Sequence, residues 1–209
     1  MTTFFSCDVE TTSTSPLTGH LLTLGIQPVR FGYETGPRAD EQPSPEMLPQ
    51  TLYVRIDQQH NLDEDAITGM WGDPDNDASS FGWWQQQNEE ARNEAYADQS
   101  LVRHDILTAA GMVKEYVESV EPDPRQRIFV ANPVSFDKPW FEMMFWIADV
   151  SDPFHYQSLC LRSMKFGIRK GGRWVATRDN HAPKVPHHAL WDAVAQAEDL
   201  VAMLAERDG

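Results

Sequence analysis

Four acidic residues and one histidine in this 209-residue chain are of the types that hydrolytic metal sites use. Asp8 and Glu10 belong to an apolar segment at the N-terminus, and Asp137 follows a second apolar run. His187 and Asp192 lie where the last helical pattern begins. Carboxylates that are distant in sequence but adjacent in a fold can hold two divalent cations for phosphodiester cleavage. We therefore expect these five residues to meet in one site.

The first acidic pair lies where a buried strand ends. Residues i and i+2 of a strand face the same way, so Asp8 and Glu10 project together while Cys7 and Val9 point into the opposite layer. Two such carboxylates repel each other and are costly to desolvate, and a divalent cation removes both difficulties. The alternative is that Glu10 already lies in the following loop and that the pair is ordinary surface acid.

The other three residues are each ambiguous alone. Asp137 follows a strand and a polar turn, where it serves either as a ligand or as the N-cap of the next helix. His187 precedes the last helix and has the side-chain chemistry to accept a proton from water, although the neighbouring His188 is a rival for that role. Asp192 is placed in the first turns of that helix, away from its apolar stripe or at its edge.

Hydrophobic periodicity places these residues on elements of a mixed α/β fold. We predict strands at 3–9, 20–31 with a break at Pro28, 52–56, 127–131 and 159–162. We predict helices at about 81–97, 101–119, 138–148 and 188–206. The apolar stripe of the last helix is Leu190, Val194, Ala197, Val201 and Leu204. This order favours one α/β domain over 1–209, a mixed sheet flanked by helices, with surface insertions near 33–50 and 167–186.

Composition narrows the class of protein. The net charge of −15 argues against a protein that coats nucleic acid by charge alone, although residues 160–185 contain seven basic residues and one acid. That basic stretch is either a solvated loop or a substrate contact. The two cysteines, Cys7 and Cys160, predict no disulfide framework. The N-terminus has no basic region and no long apolar run, so we expect neither a signal peptide nor a membrane span. A reducing, cytoplasmic setting is therefore the expectation.

Three motifs together resemble those of the DEDDh exonucleases, the DnaQ-like group of the RNase H-like fold. Asp8-Val9-Glu10-Thr11-Thr12 looks like the first motif, Phe136-Asp137 with the upstream Asn132 looks like the second, and His187 through Asp192 is similar to the third. The resemblance is strongest to a bacterial and phage subgroup described as exodeoxyribonuclease VIII-like or RNase AS-like. The residues that carry this resemblance are Leu22-Thr23-Leu24-Gly25 and Trp83-Trp84 with the following glutamines.

This resemblance implies a reaction and a set of roles. Asp8, Glu10, Asp137 and Asp192 would hold two Mg²⁺ or Mn²⁺ ions, and His187 would act as the general base. The product would be a nucleoside 5′-monophosphate from the 3′ end of single-stranded DNA or RNA. The residues expected to contact the substrate are Thr11, Thr12, Leu22, Trp83, Trp84, Asn132 and Phe136, the two tryptophans by stacking on a base unless they are core.

Two alternatives and one assembly state stay open. The first alternative is the same fold without catalysis, used as a nucleic-acid-binding or assembly module. The second lies within the enzyme class, because RNA-trimming enzymes and single-stranded DNA exonucleases share the catalytic group and differ in contacts to the 2′-hydroxyl. Relatives of this kind are often dimers, so a homodimer is a further possibility.

Overall fold

A computed structural model describes residues 1–17, 19–32, 44–57, 78–170 and 182–205, with the backbone alone described at 78–81 and 167–170. Six strands form one sheet within these ranges: β1 (Thr2–Thr11), β2 (Leu21–Gly32), β3 (Ser44–Met47), β4 (Leu52–Arg55), β5 (Arg127–Ala131) and β6 (Ser158–Cys160). The α-helices are α1 (Ala78–Gln85), α2 (Glu89–Arg92), α3 (Ile106–Val120), α4 (Val134–Ile147), α5 (Leu161–Lys170) and α6 (Ala189–Ala205). The predicted mixed sheet with flanking helices is confirmed.

The first strand lies in the middle of the sheet. The strand order is β3-β2-β1-β5-β6, with β4 also paired to β2. β1 is antiparallel to β2 along its whole length, but it is parallel to β5 over only Thr3–Ser6. The last residues of β1 therefore extend beyond the end of β5. The chain that leaves β5 can cross this exposed end, which is where Asp8 and Glu10 lie.

Side chains of β1 alternate between two buried layers. Phe5, Cys7 and Val9 belong to the larger core cluster, which includes residues of α3 and α4. Phe4 packs against the smaller cluster that contains Leu200 of α6. Asp8 and Glu10 have the same parity as Phe4 and therefore face the α6 layer. The predicted separation of Cys7 and Val9 from the acidic pair is confirmed.

The predicted break at Pro28 is wrong, because β2 continues through this residue. Pro28 pairs with Phe5 of β1, and on its other side β2 changes partner, from β4 at Thr23–Ile26 to β3 at Val29–Gly32. A proline lacks the N–H that an inner strand needs, but between two partners that N–H is not required. Where β2 changes partner, the side-chain amide of Gln27 donates to the carbonyl oxygens of Pro28 and Leu48 at 3.0 and 2.7 Å.

The predicted helix at 81–97 is divided into three shorter pieces. α1 ends at Gln85, and the side chain of Asn88 accepts the Ala91 N–H at 2.7 Å, which makes Asn88 the N-cap of a new helix. After α2 the chain continues as a π-helix over Asn93–Ala97. Arg103 donates to the carbonyl oxygens of Ala95 and Glu94, so tertiary contacts support this wide turn.

Other helix and strand limits also differ from the prediction. α3 begins at Ile106 rather than near 101 because Asp105 caps it through the N–H groups of Leu107 and Thr108. α4 begins at Val134, four residues early, directly after the cis peptide bond between Asn132 and Pro133. The predicted strand at 159–162 is β6, which ends at Cys160, and α5 begins at once and extends to Lys170.

The two predicted insertions are only partly open to description. Ser44–Met47 of the 33–50 segment is β3, paired with Val29–Gly32, so the end of that segment belongs to the sheet. Residues 33–43 and 171–181 lie outside the described residues. In the part of the chain that the structure covers, no helix is both long enough and apolar enough to cross a membrane.

The last helix has the predicted limits but a different buried face. α6 spans Ala189–Ala205, and its buried apolar residues include Ala189, Ala193, Ala197 and Leu200, whereas Leu190, Val194 and Val201 are only half-buried. Small residues lie inward because the first turn of α6 touches β2. A Cβ atom on Gly25 would stand 2.4 Å from the carbonyl carbon and oxygen of Ala189. Gly25 therefore allows the helix to lie directly on the sheet.

Candidate active site

The end of β1 supplies the first two carboxylates. Asp8 is paired in register with Gly25 of β2, and Glu10 with Thr23. Glu10 is only 7% exposed, so it is a buried acid and not the surface residue of the alternative interpretation. Both side chains face the layer of α6, whose first turn is held close by Gly25.

The third carboxylate is brought to β1 by the turn after β5. Asp137 lies in the first turn of α4, whose N-cap position is Pro133, so the N-cap interpretation of Asp137 is wrong. Its Oδ1 accepts a hydrogen bond from the backbone N–H of Val9 at 3.2 Å. Val9 is beyond the residues that β5 pairs, so its N–H is available to this side chain. The bond therefore holds the Asp137 side chain beside Val9, the residue that separates Asp8 from Glu10.

The start of α6 supplies the last two residues. Asp192 lies in the first turn, and its Oδ2 accepts the His188 N–H at 3.1 Å. His187 has a φ of 62°, a left-handed conformation that is uncommon outside glycine. Ligand atoms of Glu10, His187 and Asp192 lie within 4.8 Å of one another. The structure thus assembles one cluster from three separate segments of the chain.

The two histidines are separated by the turn. His187 is half-buried and lines the cleft, with its ring 4.7 Å from that of Trp83 in an edge-to-face arrangement. His188 is 7% exposed and stacks on Tyr53, with the ring centres 4.6 Å apart. Only His187 faces the carboxylates, so the rival assignment to His188 has no support in the geometry.

All five residues line a cleft of about 640 Å³. Of the residues predicted to contact substrate, Thr11, Trp83, Trp84, Asn132 and Phe136 also line it. Thr12 and Leu22 do not: both are 1% exposed, Leu22 packs with Trp84 in a core cluster, and the Thr12 hydroxyl accepts the His20 N–H. The structure therefore places these two side chains outside the cleft lining.

The two tryptophans differ in exposure. Trp83 is 41% exposed, whereas Trp84 is 1% exposed and donates from Nε1 to the Thr11 carbonyl oxygen at 3.0 Å. Trp84 is thus a core residue whose edge reaches the cleft. Trp83 is the one of the pair with a face available for stacking.

Several cleft residues were not among the sequence predictions, namely Ser13, Thr14, Pro133, Arg162 and Gln196. Arg162 belongs to the basic stretch, and it is the one permanently charged cation among the described residues that line the cleft. Elsewhere in that stretch Lys165 pairs with Asp199, and Lys184 lies over the Trp191 ring. The side chains of Arg169 and Lys170, and all of Arg173, are outside the described residues.

Burial dominates the electrostatics of the four carboxylates. It raises the pKa of Asp8 well above the ordinary value, and the charges of Asp137, Glu10 and Asp192 raise it further. The pKa of Glu10 is also raised, by burial first and then by Asp192 and Asp137. Four acids in a cleft whose described lining includes one arginine repel one another, and bound cations would remove that repulsion.

The other two acids are shifted less because protein donors partly compensate their burial. Burial raises the pKa of Asp137 to about 7, against the N–H groups of Val9 and Asp137 itself and the charge of Arg162. Burial raises the pKa of Asp192 to about 6, against the N–H groups of His188 and His187. The donor set of carboxylate oxygens and one imidazole fits Mg²⁺ or Mn²⁺, which prefer oxygen ligands.

Comparison with known proteins identifies the family of the chain. The sequence model of the 3′-5′ exoribonuclease Rv2179c-like domain matches residues 3–204. A stretch of 101 residues is 32% identical to the 3′-5′ DNA exonuclease Cap18 of Escherichia coli, over 45% of this chain and 54% of that protein. The match thus spans about half the length of this curated relative.

Solved structures of E. coli exonuclease I have a similar fold. The zinc-bound complex with single-stranded DNA has a TM-score of 0.55 at 13% identity, and the complex with a dT13 oligonucleotide has a TM-score of 0.55 at 16% identity. The comparisons cover 100% and 99% of this chain and 41% of each neighbour. They confirm the predicted RNase H-like fold. On the match over residues 3–204, the chain belongs to the family of the 3′-5′ exoribonuclease Rv2179c-like domain.

Proposed function

We propose that this protein is a metal-dependent 3′-5′ exonuclease that removes nucleoside 5′-monophosphates from the 3′ end of single-stranded nucleic acid. One observation carries the proposal: Asp8, Glu10, Asp137, Asp192 and His187, which come from three distant segments, line a single cleft. A protein that only bound nucleic acid would gain nothing from four mutually repelling acids, of which Glu10 and Asp137 are buried and Asp8 and Asp192 half-buried.

In this proposal the four carboxylates hold divalent cations. Asp8 and Glu10 contribute from the strand, Asp137 from α4 and Asp192 from α6, so the ligands approach from different directions. When bound, the cations would lower the pKa of the attacking water and offset the charge that develops on the leaving 3′ oxygen. Two Mg²⁺ or Mn²⁺ ions match the number and the hardness of the donors.

His187 is proposed as the general base. Burial lowers the pKa of His187 below its usual value, so the imidazole is neutral at neutral pH and can accept a proton from water. Its ring is held at the cleft by two features, the left-handed backbone and the edge contact with Trp83. Both restrict the ring to the side of the cluster that Glu10 and Asp192 occupy.

The same cleft supplies groups for the terminal nucleotide. The exposed face of Trp83 can stack on a base, and Phe136 and Asn132 line the wall that carries Asp137. Arg162 is placed to attract a phosphate, since its guanidinium is the one fixed positive charge of the described lining. A cleft of about 640 Å³ suits one end nucleotide and its phosphate rather than a duplex.

The choice between RNA and DNA is the finer question. The family description names an exoribonuclease and the partial relative is a DNA exonuclease. Discrimination depends on contacts to the 2′-hydroxyl, for which Thr11 is a candidate. Its hydroxyl donates to the Ser13 carbonyl oxygen at 2.7 Å and keeps lone pairs that can accept.

The test is a time course on matched single-stranded RNA and DNA, each labelled at the 5′ or the 3′ end, with Mg²⁺, Mn²⁺ or EDTA. We expect a ladder that shortens from the 3′ end with metal, no reaction in EDTA, and loss of activity in Asp8→Asn. Asp149→Asn is the matched control, because Asp149 is outside the cleft lining and its φ of 52° suits asparagine. Absence of cleavage of both polymers with every metal would overturn the proposal and favour the binding module.

A further inference from the structure

One buried amide touches the metal-binding candidates without being one of them. Gln196 is on α6 one helical turn after Asp192, so the two side chains lie on the same side of the helix. Its Nε2 donates a hydrogen bond to Oδ1 of Asp8 at 2.8 Å. The residues are 188 positions apart, and this bond connects the strand that carries Asp8 with the helix that carries Asp192.

The amide has one defined orientation. The Gln196 nitrogen faces Asp8 and its oxygen faces away, which is the orientation that an ionised carboxylate, the form that binds a cation, requires because it can only accept. That oxygen, Oε1, is buried and has no hydrogen-bond partner among the described residues, and the side chain is 8% exposed. An unpartnered buried carbonyl is unfavourable, so an apolar residue of the same size would serve packing alone better.

The amide donor of Gln196 lies beside a carboxylate that is surrounded by other acids. Asp8 is surrounded by Glu10, Asp137 and Asp192, and the hydrogen bond from Gln196 is the one neutral side-chain donor given to it within the described structure. A hydrogen bond to one oxygen restricts the rotation of the carboxylate. Outer hydrogen bonds of this kind orient metal ligands and usually matter to affinity.

We propose that Gln196 is a positioning residue, which holds the Asp8 carboxylate in the orientation required for divalent-cation binding. The inference rests on the proposed function, since it assumes that Asp8 is a ligand. Gln196 acts through Asp8 and not through the packing of α6, and this difference can be measured.

The experiment measures Mn²⁺ affinity of the purified chain by electron paramagnetic resonance of the free ion, with hydrolysis of a single-stranded oligonucleotide as a second readout. Gln196→Met keeps the length of the side chain and removes the donor. We expect Mn²⁺ to bind about 10–100-fold more weakly, the usual effect of losing such an outer hydrogen bond. Glu198→Gln, on the same helix and outside the cleft lining, is the matched control and should bind as wild type.

A double-mutant cycle separates positioning from packing. In an Asp8→Ala background there is no carboxylate to orient, so Gln196→Met should then change Mn²⁺ affinity less than about 2-fold. Equal losses in both backgrounds, or no loss in the wild-type background, would overturn the inference. Gln196→Leu repeats the test if the methionine variant melts at a much lower temperature in EDTA. Failure of wild type to bind Mn²⁺ would instead overturn the proposed function together with this inference.

Discussion

Replacing Asp137 by asparagine should stabilise the metal-free protein at pH 8, although it removes a proposed metal ligand. The Asn amide keeps an oxygen in the position that accepts the Val9 N–H at 3.2 Å. It also removes a negative charge that burial penalises, since burial raises the pKa of Asp137 to about 7. The substitution therefore separates the loss of folding stability caused by the buried charge from the proposed role of Asp137 as a metal ligand.

The sign follows from where the proton binds. An aspartate in an unfolded chain has a pKa of about 3.9, so between about pH 4 and pH 7 the folded state holds a proton that the unfolded state has lost. The contribution of Asp137 to folding stability is then greatest below about pH 4 and falls as pH rises to about 7. Above about pH 7 the loss of stability caused by ionised Asp137 is complete, and the gain in stability of Asp137→Asn should therefore reach its full value there.

The magnitude follows from the same two values. Their difference corresponds to about 4 kcal/mol, at about 1.4 kcal/mol for each unit of pKa. Relaxation and the shared titration with neighbouring acids reduce this, so we expect a gain of about 1–3 kcal/mol at pH 8. For a domain of this size, about 2 kcal/mol raises the Tm by about 4–8 °C.

The assay is thermal unfolding in EDTA between pH 5 and pH 8.5 for wild type, Asp137→Asn and the control Asp149→Asn. The Tm advantage of Asp137→Asn should grow with pH, and saturating Mn²⁺ should stabilise wild type more than the variant. An Asp137→Asn protein that melts below wild type at pH 8 in EDTA, or a Tm difference that does not change with pH, would refute the reasoning.

Three further substitutions test other parts of the account. Gly25→Ala should lower the free energy of unfolding by about 1–3 kcal/mol and the activity at least 10-fold, because its Cβ would displace the first turn of α6. Gly111→Ala in α3 is the control, and it should be neutral or stabilising because nothing lies within 4 Å of the added Cβ. Equal stability and activity of the two alanine variants would contradict the role of Gly25. His187→Ala should lower kcat by about 10²–10⁴-fold with little change in Mn²⁺ affinity, and a parallel loss of affinity would make His187 a ligand instead. Arg162→Gln should raise KM and reduce the salt-dependence slope of KM by about one, whereas Arg125→Gln, paired with Asp123 on the exposed surface, should do neither.

Sequence reasoning predicted that these acids and His187 lie together because the strongest signals are local. The i, i+2 spacing of Asp8 and Glu10 fixes their shared face once the strand is recognised, and the spacing of His187 and Asp192 fixes the turn that carries both. The parallel strand before Asp137 could also be read from its apolar residues. These features predicted one cluster, and the structure brings its members together.

The remaining errors come from tertiary contacts that no local pattern contains. The buried face of α6 is set by the close approach at Gly25, so alanines lie inward where larger apolar residues were expected. Pro28 stays within a strand because β2 changes partners beside it. Thr12 and Leu22 follow the first motif but are turned into the interior. Gln196 was missed because its meaning depends on a contact with a residue at the other end of the chain.

In the proposed reaction, water attacks the last phosphodiester in the cleft formed by Asp8, Glu10, Asp137, Asp192 and His187. Hydrolysis in H₂¹⁸O with Mg²⁺, followed by mass spectrometry of the released product, tests it most directly. We expect nucleoside 5′-monophosphates that carry one ¹⁸O from each bond cleaved, and loss of the product in Asp8→Asn. Nucleoside 3′-monophosphates, cyclic phosphates, or 5′-monophosphates without ¹⁸O would contradict it.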